Sequence, residues 1–97
     1  MQDNKVLIAI ATYKEAENIK NLIDQIRLYS PSATILIIND NSNDGTKEIF
    51  EKIQNKNLVY IERPKKMGLG TAHKLSIFYA IKYNYNFLLT MDADFSH

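Results

Sequence analysis

No cysteine occurs in these 97 residues, which excludes disulfide bonds and thiolate metal sites. No apolar stretch approaches the ~20 residues that a membrane-spanning helix needs. Met1-Gln2-Asp3-Asn4-Lys5 leads into an apolar run that is too short and too poorly flanked for a signal peptide. Neither charge sign dominates: 12 basic and 11 acidic side chains leave a formal net charge of +1, so there is no broad attraction for nucleic acid or an anionic bilayer. Internal repeats, low-complexity tracts and long linkers are also missing. These absences predict a soluble cytoplasmic protein that does not bind nucleic acid. The whole chain is 45% hydrophobic and 24% charged, an ordinary globular mixture. Its length suits one small domain, residues 1–97, which buries only about two-thirds of the surface exposed by the unfolded chain.

Short apolar runs alternate with amphipathic stretches. Val6 to Ala11 is an apolar run of strand length. From Ala16 to Tyr29 follow Ile19, Leu22, Ile23, Ile26 and Arg27 at helical spacing, and Ser30-Pro31-Ser32 ends that helix. Thr34 to Ile38 is a second, β-branched strand. A polar loop, Asn39 to Gly45, precedes a helix from Thr46 to about Gln54 that Asn43 or Asp44 can cap. Asn57 to Glu62 reads as a third strand, and Pro64 to Gly70 as a loop. Thr71 to Tyr83 reads as a helix with Ala72, Leu75, Phe78, Tyr79 and Lys82 in register, and Phe87 to Met91 as a fourth strand. The order β-α-β-α-β-α-β, with strands apolar on both faces, predicts an α/β fold. Its sheet is Rossmann-like and mostly parallel, with about four strands and helices on both faces. Such sheets bind ligands at the carboxyl ends of their strands. That singles out Thr12 to Glu15, Asn39 to Asp44, Arg63 to Gly70 and Asp92 to His97.

The strongest motif is Met91-Asp92-Ala93-Asp94. Side chains two apart on an extended segment share a side, and two carboxylates so placed suit a divalent cation, Mg²⁺ or Mn²⁺, that also takes oxygen from a diphosphate. A solvated acidic turn fits the same four residues. In Asn39-Asp40-Asn41-Ser42-Asn43-Asp44-Gly45-Thr46, Asp40 can accept a hydrogen bond from a base N–H, although turn chemistry alone also explains the composition. In Ala11-Thr12-Tyr13-Lys14-Glu15, the Tyr13 ring can pack on a base and Glu15 can hold ribose hydroxyls. Equally, Glu15 suits the start of a helix through the dipole. Met67-Gly68-Leu69-Gly70-Thr71-Ala72-His73 permits close backbone approach ahead of a helix. It matches neither a phosphate-binding P-loop nor Gly-x-Gly-x-x-Gly. Arg63, Lys65 and Lys66 can help hold phosphate or can simply form a solvated loop. His73 and His97 have no identifiable partner and read as structural.

The four loops together resemble the family 2 glycosyltransferases, in particular the dolichyl-phosphate mannosyltransferase branch and its bacterial polyprenyl-phosphate relatives. The resemblance covers essentially the whole chain. Its branch-specific segments are Gly68-Leu69-Gly70-Thr71-Ala72 and Asp92-Ala93-Asp94-Phe95-Ser96-His97. It implies a truncated GT-A fold and an inverting, metal-dependent enzyme. That enzyme would move a sugar from a nucleotide-sugar donor to a polyprenyl phosphate, with GDP-mannose the favoured donor. The implied nucleotide contacts are Ala11, Tyr13, Glu15, Ile38, Asp40, Asp92 and Ala93. The implied metal ligands are Asp92, Asp94 and Ser96, and Asp94 is the implied catalytic residue. The sequence departs from the family pattern at Ala11 (usually Pro), Lys14 (usually Asn) and Asn39 (usually Asp).

Members of that family are much longer, which predicts a fragment that binds donor, transfers poorly and self-associates through an exposed strand edge. The resemblance also implies peripheral contact at the cytoplasmic face of a membrane. Two further readings stay open: a nucleotide- and metal-binding module without chemistry, and a self-associating α/β domain. A receiver-like domain is disfavoured, because Thr12-Tyr13-Lys14 stands where an acidic pair belongs.

Overall fold

The computed structural model describes residues 5–12, 16–40, 48, 51–52, 57–65, 67 and 69–92. They form strands β1 (Val6–Thr12), β2 (Thr34–Asp40), β3 (Leu58–Arg63) and β4 (Phe87–Asp92), with helices α1 (Ala16–Tyr29) between β1 and β2 and α2 (Leu69–Lys82) between β3 and β4. Glu48, Glu51 and Lys52 are helical, inside the span expected for the middle helix. The strands make one sheet in the order β3-β2-β1-β4, and every pairing is parallel.

The strand pattern explains the layers. Successive side chains of a strand point to opposite faces. Ile8, Ile10, Ile35 and Ile37 therefore pack against Ile19, Leu22, Ile23 and Ile26 of α1. Leu7, Ala9, Leu36 and Ile38 pack on the other face with Ala72 and Ala80 of α2. Two faces, each covered by a helix, require the unbroken Ile/Leu/Val runs of β1 and β2. Full burial of each such side chain stabilises the fold by about 1.5–3 kcal/mol.

At the amino end of the sheet, the Ser30 amide bonds the Ile26 carbonyl at 2.7 Å, and the Ala33 amide bonds the Ser30 carbonyl at 3.2 Å. Pro31 follows, where the helix cannot continue. Arg27 reaches across this turn, donating to the Ala33 carbonyl at 2.7 Å and the Asn57 carbonyl at 2.9 Å. Its partial burial lowers its pKa by desolvation. It serves as a polar tie between α1 and the start of the sheet.

The second helix differs from expectation. It begins at Leu69 rather than Thr71. Its inward residues are Ala72, Ser76 and Ala80, with Leu75 and Tyr79 half-buried, whereas Phe78 is 61% exposed and Lys82 is exposed. Ile77 and Ile81 also face outward. Apolar residues surround this helix, so spacing alone did not select the packed side; close approach to the sheet favours the small residues. Ser76 satisfies its buried hydroxyl by donating to the Ala72 carbonyl at 2.9 Å.

The α2–β4 turn is closed by Tyr85 N to the Ala80 carbonyl at 2.9 Å and Asn84 N to the Ile81 carbonyl at 3.2 Å. Asn84 sits in the left-handed region, with φ 61°. This is the conformation a helix end adopts when its last carbonyls are capped from beyond the helix. Tyr79 packs on Tyr83 (centroids 4.6 Å) and Tyr85 (6.3 Å). Burial first, then the neighbouring Tyr85 and Tyr83, raises the Tyr79 pKa.

β4 is an edge strand in the described sheet. Its Met91 packs with the α1-side core and Leu88 with the α2-side core. Phe87 and Leu89, on the α1 side, are 57% and 53% exposed.

Candidate functional site

Each strand runs one or two residues beyond the apolar segment that identified it. Thr12, Asn39, Asp40, Arg63 and Asp92 are strand residues at the carboxyl edge, not loop residues. The register lines them up. Asp92 pairs with Ala11, Ala11 with Ile38, and Ile38 with Ile61, in one row across all four strands. The next row is Thr12, Asn39 and Glu62. Asp40 and Arg63 pair one step further out.

Three of the expected nucleotide contacts, Ala11, Ile38 and Asp92, thus stand side by side, and Asp40 lies at the same edge. Adjacent strands are about 4.8 Å apart, so Asp92 and Ile38 are separated by roughly 10 Å across the sheet. The chain leaves β1 towards β2 on one side, and β4 flanks β1 on the other. The carboxyl ends of β1 and β4 therefore flank a topological switch point, where open α/β sheets form their ligand crevice.

Asp40 and Arg63 form a buried, bidentate ion pair. Arg63 Nε donates to Asp40 Oδ1, and Nη2 donates to Oδ2 at 2.8 Å. The Met67 amide donates to the same Oδ2 at 3.0 Å. Arg63 Nη1 donates to Thr71 Oγ1 at 2.9 Å, and Thr71 Oγ1 donates to the Met67 carbonyl at 2.7 Å. The planar guanidinium matches a carboxylate in this fork. Arg63 is only 8% exposed, which corrects its inclusion with Lys65 and Lys66 in a solvated loop. Lys65 alone is found exposed, and Lys66 lies outside the described residues. Asp40 also has a fuller role than expected. A base N–H there would share oxygens already bonded to Arg63 and Met67.

On the opposite face, the buried Asn39 donates from Nδ2 to Tyr60 Oη at 2.8 Å, and Tyr60 Oη donates to Glu62 Oε1 at 2.9 Å. An amide in place of a carboxylate can donate to the phenol oxygen. Asn39 is thereby part of a neutral chain of hydrogen bonds leading to an exposed carboxylate. Its neighbour Thr12 is 4% exposed, and its Oγ1 is buried without a hydrogen-bond partner among the described residues. Ile38 is fully buried in the α2-side core. At Gly70 a Cβ would meet nothing within 4 Å, so no described protein neighbour requires glycine there.

Tyr13, Glu15, Ala93, Asp94 and Ser96 lie outside the described residues, as do Asn41 to Gly45, Gly68 and His97. No group of three or more metal-ligating His, Cys, Asp or Glu occurs among the described residues. The donor set named from sequence, Asp92 with Asp94 and Ser96, is all oxygen. It begins on the strand that ends beside Ala11, and its chemistry fits a hard cation. His73 is half-buried in α2. Among the described residues no helix is long and apolar enough to cross a membrane.

Sequence reasoning missed Arg63 as the partner of Asp40, and Thr71 as a partner of Arg63. An Arg directly after the third strand run was the available signal, but its partner is 23 positions away in sequence.

Residues 7–97 match the sequence model of "Glycosyl transferase family 2". Over 96 residues the chain is 31% identical to the polyprenol monophosphomannose synthase of Mycolicibacterium smegmatis, covering 96% of this chain and 36% of that protein. Over 95 residues it is 30% identical to the undecaprenyl-phosphate mannosyltransferase of Micrococcus luteus, covering 96% of this chain and 39% of that protein. Over 91 residues it is 29% identical to the poly-beta-1,6-N-acetyl-D-glucosamine synthase of Staphylococcus aureus, covering 92% of this chain and 21% of that protein. The chain thus spans well under half the length of these relatives.

Proposed function

The chain belongs to glycosyl transferase family 2, and from that premise we propose that the carboxyl edge of its sheet is the donor site of a polyprenyl-phosphate glycosyltransferase. The row Asp92–Ala11–Ile38, with Asp40 just beyond it, carries this reading. It sets an acidic strand end, a small residue and an anchored carboxylate along the crevice where α/β sheets take nucleotides.

In this proposal Ala11, Tyr13 and Glu15 hold the nucleoside, and Ile38 and Asp40 border the base. Asp92 and Ala93 meet the diphosphate. Asp92, Asp94 and Ser96 would hold Mg²⁺ or Mn²⁺, with Asp94 as the catalytic residue. The names of two relatives, a polyprenol monophosphomannose synthase and an undecaprenyl-phosphate mannosyltransferase, favour mannose as the sugar and a polyprenyl phosphate as the acceptor. GDP is the favoured nucleotide. A phosphate oxygen of the acceptor attacks the anomeric carbon. The bond from that carbon to the donor diphosphate breaks on the opposite face, and the nucleoside diphosphate leaves with the electron pair. The acceptor is already anionic, so the protein's contribution is alignment and charge complementarity more than proton abstraction. When bound, a divalent ion supplies positive charge to the departing diphosphate.

Such an acceptor implies peripheral contact with the cytoplasmic face of a membrane. The exposed Phe87 and Leu89 on the edge strand β4 favour self-association of the 97-residue chain. Titration calorimetry with GDP and UDP, each with and without Mn²⁺, tests the donor site. Metal-dependent binding of a nucleoside diphosphate, weakened by Asp92→Asn, is expected. Heat signals indistinguishable from buffer for both nucleotides would sink the proposal.

A further inference from the structure

We infer that Arg63 is a positioning residue for the donor site, fixing Asp40 and the entry to α2 as one unit; this rests on the donor-site reading above. All three guanidinium nitrogens bond to protein: Nε and Nη2 to Asp40, and Nη1 to Thr71. The bonds then close on themselves. Thr71 donates to the Met67 carbonyl, and the Met67 amide donates back to Asp40. The circuit therefore holds four points at once: the last residue of β2, the last residue of β3, the main chain just ahead of α2, and the first turn of α2.

Two consequences follow from this closure. The Asp40 carboxylate cannot turn without breaking the fork, so its orientation toward a ligand is set by Arg63 and not by its own rotamer. Asp40 holds the Met67 amide and Arg63 holds the Thr71 hydroxyl, so both points are tied to the same ion pair. The base side and the β3–α2 side of the crevice are thus mechanically coupled. A lysine keeps the charge but offers a point donor instead of a planar fork, so it can hold Asp40 or Thr71 but cannot reproduce the circuit. The pair is buried, where geometry matters most because water cannot substitute for a missing partner.

The test compares wild type, Arg63→Lys and Thr71→Val. Calorimetry with GDP and UDP in the presence of Mn²⁺ measures affinity, and hydrogen exchange measures protection of the Met67 amide without nucleotide. Arg63→Lys is expected to bind about tenfold more weakly, the scale of one lost charge-assisted hydrogen bond. Its Met67 amide should exchange faster while the core amides of β1 and β2 keep their protection. Thr71→Val leaves the fork intact, and a smaller loss with faster Met67 exchange is expected. A purely structural Arg63 would lower the melting temperature and leave affinity unchanged at temperatures where the variant is folded; that result overturns the inference. Should Arg63→Lys fail to fold, Thr71→Val with wild-type affinity and wild-type Met67 exchange overturns it equally. A wild-type chain that binds neither nucleotide overturns the donor-site reading and the ligand half of this inference. Unprotected Met67 in the wild type overturns the tie itself.

Discussion

Lys5 and Asn86 clasp each other at the amino end of the sheet: the Lys5 amide donates to Asn86 Oδ1 at 2.7 Å, and the Asn86 amide donates to the Lys5 carbonyl at 2.8 Å. Lys5 Nζ adds a bond to the Tyr83 carbonyl at 2.8 Å and lies 4.5 Å from the Tyr85 ring centroid. The clasp fixes where β4 starts against β1. The register then delivers Asp92 beside Ala11 at the other end. A slip of one residue would exchange the two faces of β4.

Removing the side-chain half of the clasp should therefore loosen β4 before anything else. Asn86→Ala is expected to cost about 0.5–1.5 kcal/mol, the net worth of an ordinary hydrogen bond. Exchange at β4 amides should rise more than at β2 amides. Urea denaturation and exchange mass spectrometry measure both, and uniform loosening of the sheet would contradict the assignment.

The Asp40–Arg63 pair is buried on both sides, so breaking one half is costly. Asp40→Asn should destabilise the chain by about 3–5 kcal/mol, because it leaves the Arg63 cation without a counter-charge. Combining it with Arg63→Met removes that cation and should recover much of the loss. A double-mutant cycle of urea midpoints reads the coupling, and strict additivity would show that the two side chains do not depend on each other.

Gly70 separates stability from binding. A methyl there meets open space, and replacing an exposed helical glycine by alanine gains roughly 0.5–1 kcal/mol. Gly70→Ala should thus raise the urea midpoint. If the empty space receives a nucleotide, the same change should weaken binding several-fold. Equal affinity of variant and parent would place Gly70 away from the ligand.

The turn between α2 and β4 makes a fourth, local prediction. Asn84 holds φ 61°, a conformation that costs most residues roughly 1–2 kcal/mol. Asn84→Gly should fold at least as stably as the parent, and Asn84→Val should lose about 1–2 kcal/mol. Thermal unfolding of the two variants checks the order, and a more stable valine variant would exclude this reading of the turn.

Much of this architecture was legible in advance, for identifiable reasons. The runs at Val6 and Thr34 are apolar on both faces, which only a doubly covered sheet tolerates. Ile19, Leu22, Ile23 and Ile26 form a single stripe, so α1 could face only one way. In contrast, α2 carries apolar side chains all round, and Phe78 was assigned to the wrong side. The strand order was not readable, because local patterns carry no information on which edge a strand joins. The burial of Arg63 was hidden for the same reason: its environment is made by Asp40 and Thr71, brought together only by the sheet. Asn39 was read as a departure from an acidic pattern. Its bond to Tyr60 shows a donor used where a carboxylate could only accept.

Strand order also sets the sequence in which this crevice can be assembled. β4 joins β1, not the preceding β3, so the chain must travel back past two finished strands to reach its place. The Asp40–Arg63–Met67–Thr71 circuit needs nothing later than residue 71. The half of the carboxyl edge built by β2 and β3 therefore closes on itself without β4, whereas the row that includes Asp92 exists only once β4 has joined β1.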